Sequence, residues 1–300
     1  MTAAKGLPMT PGRVAALVLG VPVALAIIFT VAVSLVAEFG EDSVLVDRTV
    51  ALPGPAADVT VDNPDLTLSA SSEAARLVRV RGTLTGAFAR PTFDIRATAT
   101  GVAVTSHCVV PTGTCSGALH ATVPAGLPVV ASDANGNLDA SGLSGLISLS
   151  AGSGDLRAGH LAGTVSLSDK SGNVIASGLS GPSVRISEQA GDIDASGLSA
   201  GSVTLLDNSG DITVSGLGAA DVTGKVQSGD VTLTFTKVPR RVNITDLSGD
   251  ITLVLPGGPA YYQVSAQASS GDISIGVRHR TSSANVITAS ATSGDVTIKY

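Results

Sequence analysis

The sequence predicts an all-β protein: a β-solenoid of roughly 19-residue, two-strand coils, with an N-terminal β cap and one transmembrane helix in front. Three observations carry this reading. A Gly-Asp/Asn-apolar unit recurs at near-constant spacing through the C-terminal half. The composition joins 44% apolar residues to only 3% aromatics, with 35 glycines in 300 residues. One long uncharged apolar run lies near the start.

The composition also excludes classes. Charged residues are 14%, against roughly 25% in an average globular protein. Disordered chains carry more charge and fewer apolar residues. Collagen is excluded because the glycines follow no three-residue period. The net charge of −6 gives no basic patch for nucleic acid.

The first element is the run 14–37, uncharged over 24 positions. As a helix it spans roughly 36 Å, enough for a bilayer core of about 30 Å. Pro22 is tolerated in such a helix. Lys5 and Arg13 precede the run, while Glu38, Glu41 and Asp42 follow it. The basic side stays cytoplasmic, so the remainder is exported. This divides the chain into a cytoplasmic tail (1–13), a signal-anchor helix (14–37), an irregular β cap (38–130) and the solenoid (131–300). The alternative is a cleaved signal peptide, with a small-x-small site at Ala32-Val33-Ser34, although its apolar region is normally 7–15 residues. Either reading places the bulk of the chain outside the cytoplasm.

The cap region shows strand-like runs at 44–46, 59–61, 77–80, 93–95 and 102–104. Its stretch Asp62-Asn63-Pro64-Asp65-Leu66-Thr67-Leu68 reads as a degenerate copy of the repeat. Terminal repeats are often atypical because they cap the stack.

The repeat begins at Gly136, Gly154, Gly172, Gly191, Gly210, Gly229, Gly249, Gly271 and Gly294, at spacings of 18, 18, 19, 19, 19, 20, 22 and 23. In GDITVSGL, Ile212 and Val214 alternate with Thr213 and Ser215, the period of a half-buried strand. A second short strand fills each unit, as at 165–167, 184–186, 203–205 and 242–244. One unit cannot bury its apolar face alone; stacking at about 4.8 Å does. Leu143, Leu161, Leu179, Leu198 and Leu217 are expected to lie above one another. A β-sandwich is the rival, but it needs no identical turn in every unit.

The stretch Val123-Pro124-Ala125-Gly126-Leu127-Pro128-Val129, the SGD-apolar-x-apolar-SGL units and LPGGPAYYQVSAQASSGDISI together resemble the bacterial DUF4097 family over residues 45–300. That family is described as β-strand-repeat adhesins. The resemblance implies a β-solenoid at the bacterial cell envelope and supplies no catalytic set.

Several constellations bear on chemistry. Asp155, Asp192, Asp211, Asp230, Asp250, Asp272 and Asp295 share one repeat slot, where stacking brings like charges close. Ca²⁺ would relieve the repulsion. Turn capping is the competing explanation, and the slot also accepts Asn137 and Asn173. Cys108 and Cys115 flank a Pro- and Gly-containing hairpin, and export favours a disulfide between them. Metal binding with His107 lacks a fourth ligand nearby. Gly197-Leu198-Ser199-Ala200-Gly201 matches a nucleophile-elbow pattern, but it is a repeat turn without a following helix. Asp192 and Asp194 share one strand face, so they cannot oppose each other across a glycosidic bond. The final strand, Val296-Thr297-Ile298-Lys299-Tyr300, is expected to leave a bare edge for a partner or a second copy.

The sequence therefore points to a non-catalytic, membrane-anchored scaffold with adhesin-like contacts to a surface ligand or envelope protein. Two alternatives stand beside it: an envelope-sensing partner of another membrane protein, and a glycan-active enzyme.

Overall fold

The computed structural model describes residues 41–52, 54–71, 76–87, 91–99, 101–107 and 114–300. The expected cytoplasmic tail and membrane helix, and Cys108, lie outside the described residues. Within them the protein is all β, with no helix long and apolar enough to cross a membrane.

The regular stack alternates two kinds of strand. β8 (Val129–Asp133), β10 (Ser144–Ala151), β12 (Ala162–Ser168), β14 (Ser180–Glu188), β16 (Ser199–Asp207), β18 (Asp221–Val226) and β20 (Arg241–Ser248) lie in one sheet. β9 (Leu138–Ser141), β11 (Leu156–Gly159), β13 (Val174–Ser177), β15 (Ile193–Ser196), β17 (Ile212–Leu217), β19 (Val231–Phe235) and β21 (Ile251–Val254) lie in the other. Every neighbouring pair is parallel, so each coil climbs onto the last. Period two sends one side-chain set inward. Ile147, Val165, Val184, Val203, Val222 and Val242 form one buried ladder in successive coils. Leu156, Val174, Ile193, Ile212 and Val231 form its counterpart across the core. The five expected leucines, from Leu143 to Leu217, are all buried. An interior two short strands wide has room for aliphatics and almost none for aromatic rings.

The coils are not stacked in chain order at either end. β2 (Ala56–Val61) and β3 (Asp65–Ser71) pair with β8 and β9. The later coil of β6 (Gly101–His107) and β7 (Thr114–Pro124) packs outside them. Antiparallel strands then close this end: β5 (Thr92–Ala97) on β6, β4 (Leu77–Ala87) on β7, and β1 (Glu41–Ala51) on β4. The span 38–130 thus contains two full coils besides the cap, and residues 62–68 lead into and form part of β3.

The far end repeats the device. β22 (Gln263–Ser270) and β23 (Ile273–Ile275) form the outermost coil, while β24 (Val286–Ser293) and β25 (Val296–Lys299) slip between it and β20–β21. The expected bare edge at Val296–Tyr300 is therefore corrected. β25 pairs with β21 on one side and β23 on the other. The connections 255–262 and 276–285 are long because each must cross a level.

The glycine that opens each repeat has a packing cause. A Cβ on Gly172, Gly191, Gly210, Gly229 or Gly249 would overlap the carbonyl oxygen of the repeat glycine one coil back. Coils hydrogen-bonded at strand spacing leave no room there. Gly142 is a different case: its φ is +66° and nothing lies within 4 Å of an added Cβ. His160 occupies that second slot with φ 54°, the one non-glycine among the described residues with positive φ.

Gly210→Ala is expected to lower the thermal unfolding midpoint far more than Gly142→Ala, which carries only the left-handed cost of about 1–2 kcal/mol. His160→Gly is expected to raise stability by about 1 kcal/mol. Thermal melts of the purified variants check all three.

Candidate functional site

Two columns of acidic side chains run along the rod, one outside over most of its length and one inside between Asp133 and Asp246. The outer column is the slot that follows the repeat glycine. Asp65 Oδ1 accepts the backbone N–H of Asn137, and Asn137 Oδ1 accepts that of Asp155. The series continues through Asn173, Asp192, Asp211, Asp230, Asp250, Asp295 and Asp272, every bond 2.7–3.1 Å long. Each side chain thus stitches its coil to the next, and the order Asp250–Asp295–Asp272 follows the swapped stacking. One carboxylate oxygen per rung is committed to an amide. Asn serves as well as Asp because only a carbonyl-type acceptor is needed. Among the described residues no cluster of three or more His, Cys, Asp or Glu is gathered around a common point for a metal.

The inner column comprises Asp133, Asp169, Glu188, Asp207 and Asp246, all 2% exposed or less. Register aligns Asp169 with Glu188 and Asp207 in consecutive coils, since Ser168 pairs with Ser187 and Glu188 with Asp207. In each, one oxygen accepts amides of the following turn: Asn135 and Gly136 onto Asp133, Lys170 and Ser171 onto Asp169, Gln189 and Ala190 onto Glu188, Ser209 onto Asp207, and Ser248 onto Asp246. The second oxygen of each is buried without a hydrogen-bond partner. An ionised carboxylate in that setting is costly. Burial pushes the Asp133 and Asp207 carboxyls up to about 6 and Glu188 up to about 7, against the opposing pull of the turn amides. Asp169 and Asp246 shift upward for the same cause. The charged neighbours that act on this column, including Asp62, Asp65, Asp155, Asp192, Asp211, Asp230 and Asp250, are all acidic and push the same way.

This inner column is not among the sites expected from the sequence. Its signal was present: each of the five acids stands three residues before a repeat glycine (Gly136, Gly172, Gly191, Gly210, Gly249).

Cys115 lies on β7 opposite Gly86 of β4, and no described cysteine is free; its expected partner Cys108 is outside the described residues. His107 Nδ1 lies 3.1 Å from Asp62 Oδ2 in an exposed pair. The outer faces carry ladders of polar side chains, mostly Ser and Thr. Thr213, Thr232, Thr252, Thr297 and Ser274 align on one sheet. Ser148, Ser166, Arg185, Thr204, Thr223, Asn243, Thr288 and Ser265 align on the other. An open depression of about 680 Å³ interrupts the second face near Leu206, Lys225, Thr245 and Leu247.

Asp211→Asn is expected to leave stability unchanged, and Asp211→Ala to cost about 1 kcal/mol for the lost rung; a Ca²⁺-bearing column would instead lose stability in both variants and on chelation. For the inner column, a carboxyl with a raised pKa binds its proton more tightly in the fold than in the unfolded chain. Its contribution is full below about pH 4 and is lost as pH rises through 6 to 7. The unfolding midpoint is therefore expected to be higher at pH 5 than at pH 8. Glu188→Gln raises it at pH 8 and leaves it nearly unchanged at pH 4.5, as thermal melts across pH would show.

No curated protein is similar to the chain in sequence. Among solved structures, a candidate adhesin from Bacteroides fragilis is 12% identical, with a TM-score of 0.45 over 85% of this chain and 96% of that one. A candidate adhesin from Parabacteroides merdae is 13% identical, with a TM-score of 0.48 over 84% and 95%. A candidate lipid-binding protein from Parabacteroides distasonis is 10% identical, with a TM-score of 0.48 over 87% and 96%. The Toastrack DUF4097 family profile matches residues 111–299. That match spans more than half of the sequence, and the chain belongs to the Toastrack DUF4097 family.

Proposed function

We propose that the protein is a non-catalytic, adhesin-like scaffold, anchored in the membrane by residues 14–37, with its solenoid outside the cytoplasm. The observation that carries this is the pair of hydroxyl-rich ladders on the outer faces. Parallel register repeats small polar groups, mostly Ser and Thr, at about 4.8 Å over runs of coils, with Arg185 and Asn243 within one ladder and Asp194, Ile175 and Arg157 beyond Thr213 in the other. Such a face offers many similar weak hydrogen bonds to a repetitive polar surface, where strength comes from multiplicity. The adhesin names of the similar structures belong to those proteins and accord with this use of the fold. The hairpin cysteines Cys108 and Cys115 complete the reading as a disulfide staple of an exported cap.

Cells making the full chain are expected to bind a surface coated with cell-wall polymer more than cells lacking it. Protease added to intact cells should digest the solenoid. Replacing Thr213 and Thr252 with Glu, on one exposed face, should remove most of the added binding while the protein still reaches the surface. Binding unchanged by that double variant, or a solenoid shielded from protease, would overturn the proposal.

A further inference from the structure

The two ends of the rod are finished differently. At the β6–β7 end, the last coil buries its inward side chains: Val102, Val104, Leu119, Ala121 and Val123 are all 1% exposed or less. Antiparallel strands cover it, and those outer strands are charged: Asp42, Asp47 and Arg48 on β1, Asp94 and Arg96 on β5. Charges on edge strands discourage further pairing.

At the β22–β23 end the same inward positions lie open. Ile273 and Ile275 are each 45% exposed, although their partners Val296 and Ile298 in the next coil are buried. Val264, Ala266 and Ala268 of β22 are only half-buried. No strand lies beyond either of these among the described residues. The hydrogen bonds fix which backbone groups face out. Gly276 N–H donates to Ile298 O and Val296 N–H to Asp272 O, so the amides of Ile273 and Ile275, alternating with these, point away from the rod. Gln263 N–H donates inward to Asn285 O, so Ala266 and Ala268 likewise turn outward. Only one corner is closed, where Tyr262 exchanges backbone bonds with Arg278 and Arg280. β22 itself, Gln-Val-Ser-Ala-Gln-Ala-Ser-Ser, carries neither charge nor proline.

We propose that this end is a self-association surface, on which a second copy docks tip to tip. A two-fold axis normal to the sheets continues both at once, pairing β22 with β22 and β23 with β23 in antiparallel fashion. That is the same pairing by which the molecule seals its own other end. Centring β23 on Ser274 sets the outward amides of Ile273 and Ile275 opposite Ile275 and Ile273 of the copy. It also brings Asp272 alongside the segment that holds Arg278, His279 and Arg280, so opposite charges meet twice. An isologous contact of this kind closes at two copies, with the capped ends pointing apart. If both copies are anchored as proposed above, the pair joins two surfaces; the dimer itself does not depend on that reading.

The test uses the full chain in detergent. Sedimentation from 1 to 100 µM is expected to show a monomer–dimer equilibrium. Ser274 sits at a non-hydrogen-bonded position on the axis, where opposed Cα atoms lie about 4.5 Å apart, within disulfide reach. Oxidised Ser274→Cys should therefore give a covalent dimer on a non-reducing gel, and Ser43→Cys on β1 should not. The exposed pair Gln267→Lys and Ser274→Lys should weaken the dimer at least tenfold with an unchanged unfolding midpoint. A monomer throughout, a dimer indifferent to the two lysines, or cross-linking through position 43 instead of 274 would overturn the inference. Surface binding that persists in a monomeric chain would leave the scaffold reading standing without it.

Discussion

At the turn before each outer rung, the backbone of one coil presses against the backbone of the next. The carbonyl of one repeat glycine occupies the space where a side chain on the following glycine would sit. This contact sets the coil spacing, and the two acidic columns depend on it. The outer rung reaches the next amide only because the coils are that close. The inner acids lie against the same turns: a Cβ on Gly136, Gly172 or Gly249 would also collide with the free oxygen of Asp133, Asp169 or Asp246. A side chain in this column would therefore spread the coils and displace a buried carboxyl together. The tolerance of Asn in the outer slot, and its intolerance of bulk at the glycine, follow from one geometric fact.

Much of the fold was legible in the sequence because its period was. Alternation in segments such as Ile212-Thr213-Val214 fixed the strands, and identical turns fixed their stacking. The order of the end coils was not legible. Val264 and Ala266 present the same inward pattern as Ile287 and Ala289, so either coil could sit against β20 on pattern alone. The difference lies in the connections. Spacing grows from 19 to 20, 22 and 23 toward the C-terminus, which allows the chain to skip a level. The inner acids were illegible for another reason. An acid before a turn reads as solvent-exposed turn chemistry, and only the three-dimensional path shows that these five point inward.

The inner column also qualifies a simple picture of such rods as aliphatic stacks. A carboxyl that satisfies its turn with one oxygen and leaves the other dry favours its neutral form. The fold accepts five of these, interrupted by Ala151 and Val226 at equivalent places. Those interruptions limit direct contact between like charges to the run Asp169, Glu188 and Asp207. Acidic surroundings suit such a core better than alkaline ones, consistent with a chain whose outer surface is itself acidic.

The exchanged coil near the C-terminus has a mechanical side. In a stack laid down in chain order, a pull on the last strand peels one ladder at a time from a free edge, and the rod unzips. Here a pull through β25 loads a coil held between two neighbours, so ladders on both sides must shear together. β22 and β23 cannot settle before β24 and β25 exist to receive them, which makes these four strands a single clasp. A rod clasped in this way resists tension at the strand where a stack laid down in chain order would begin to fray.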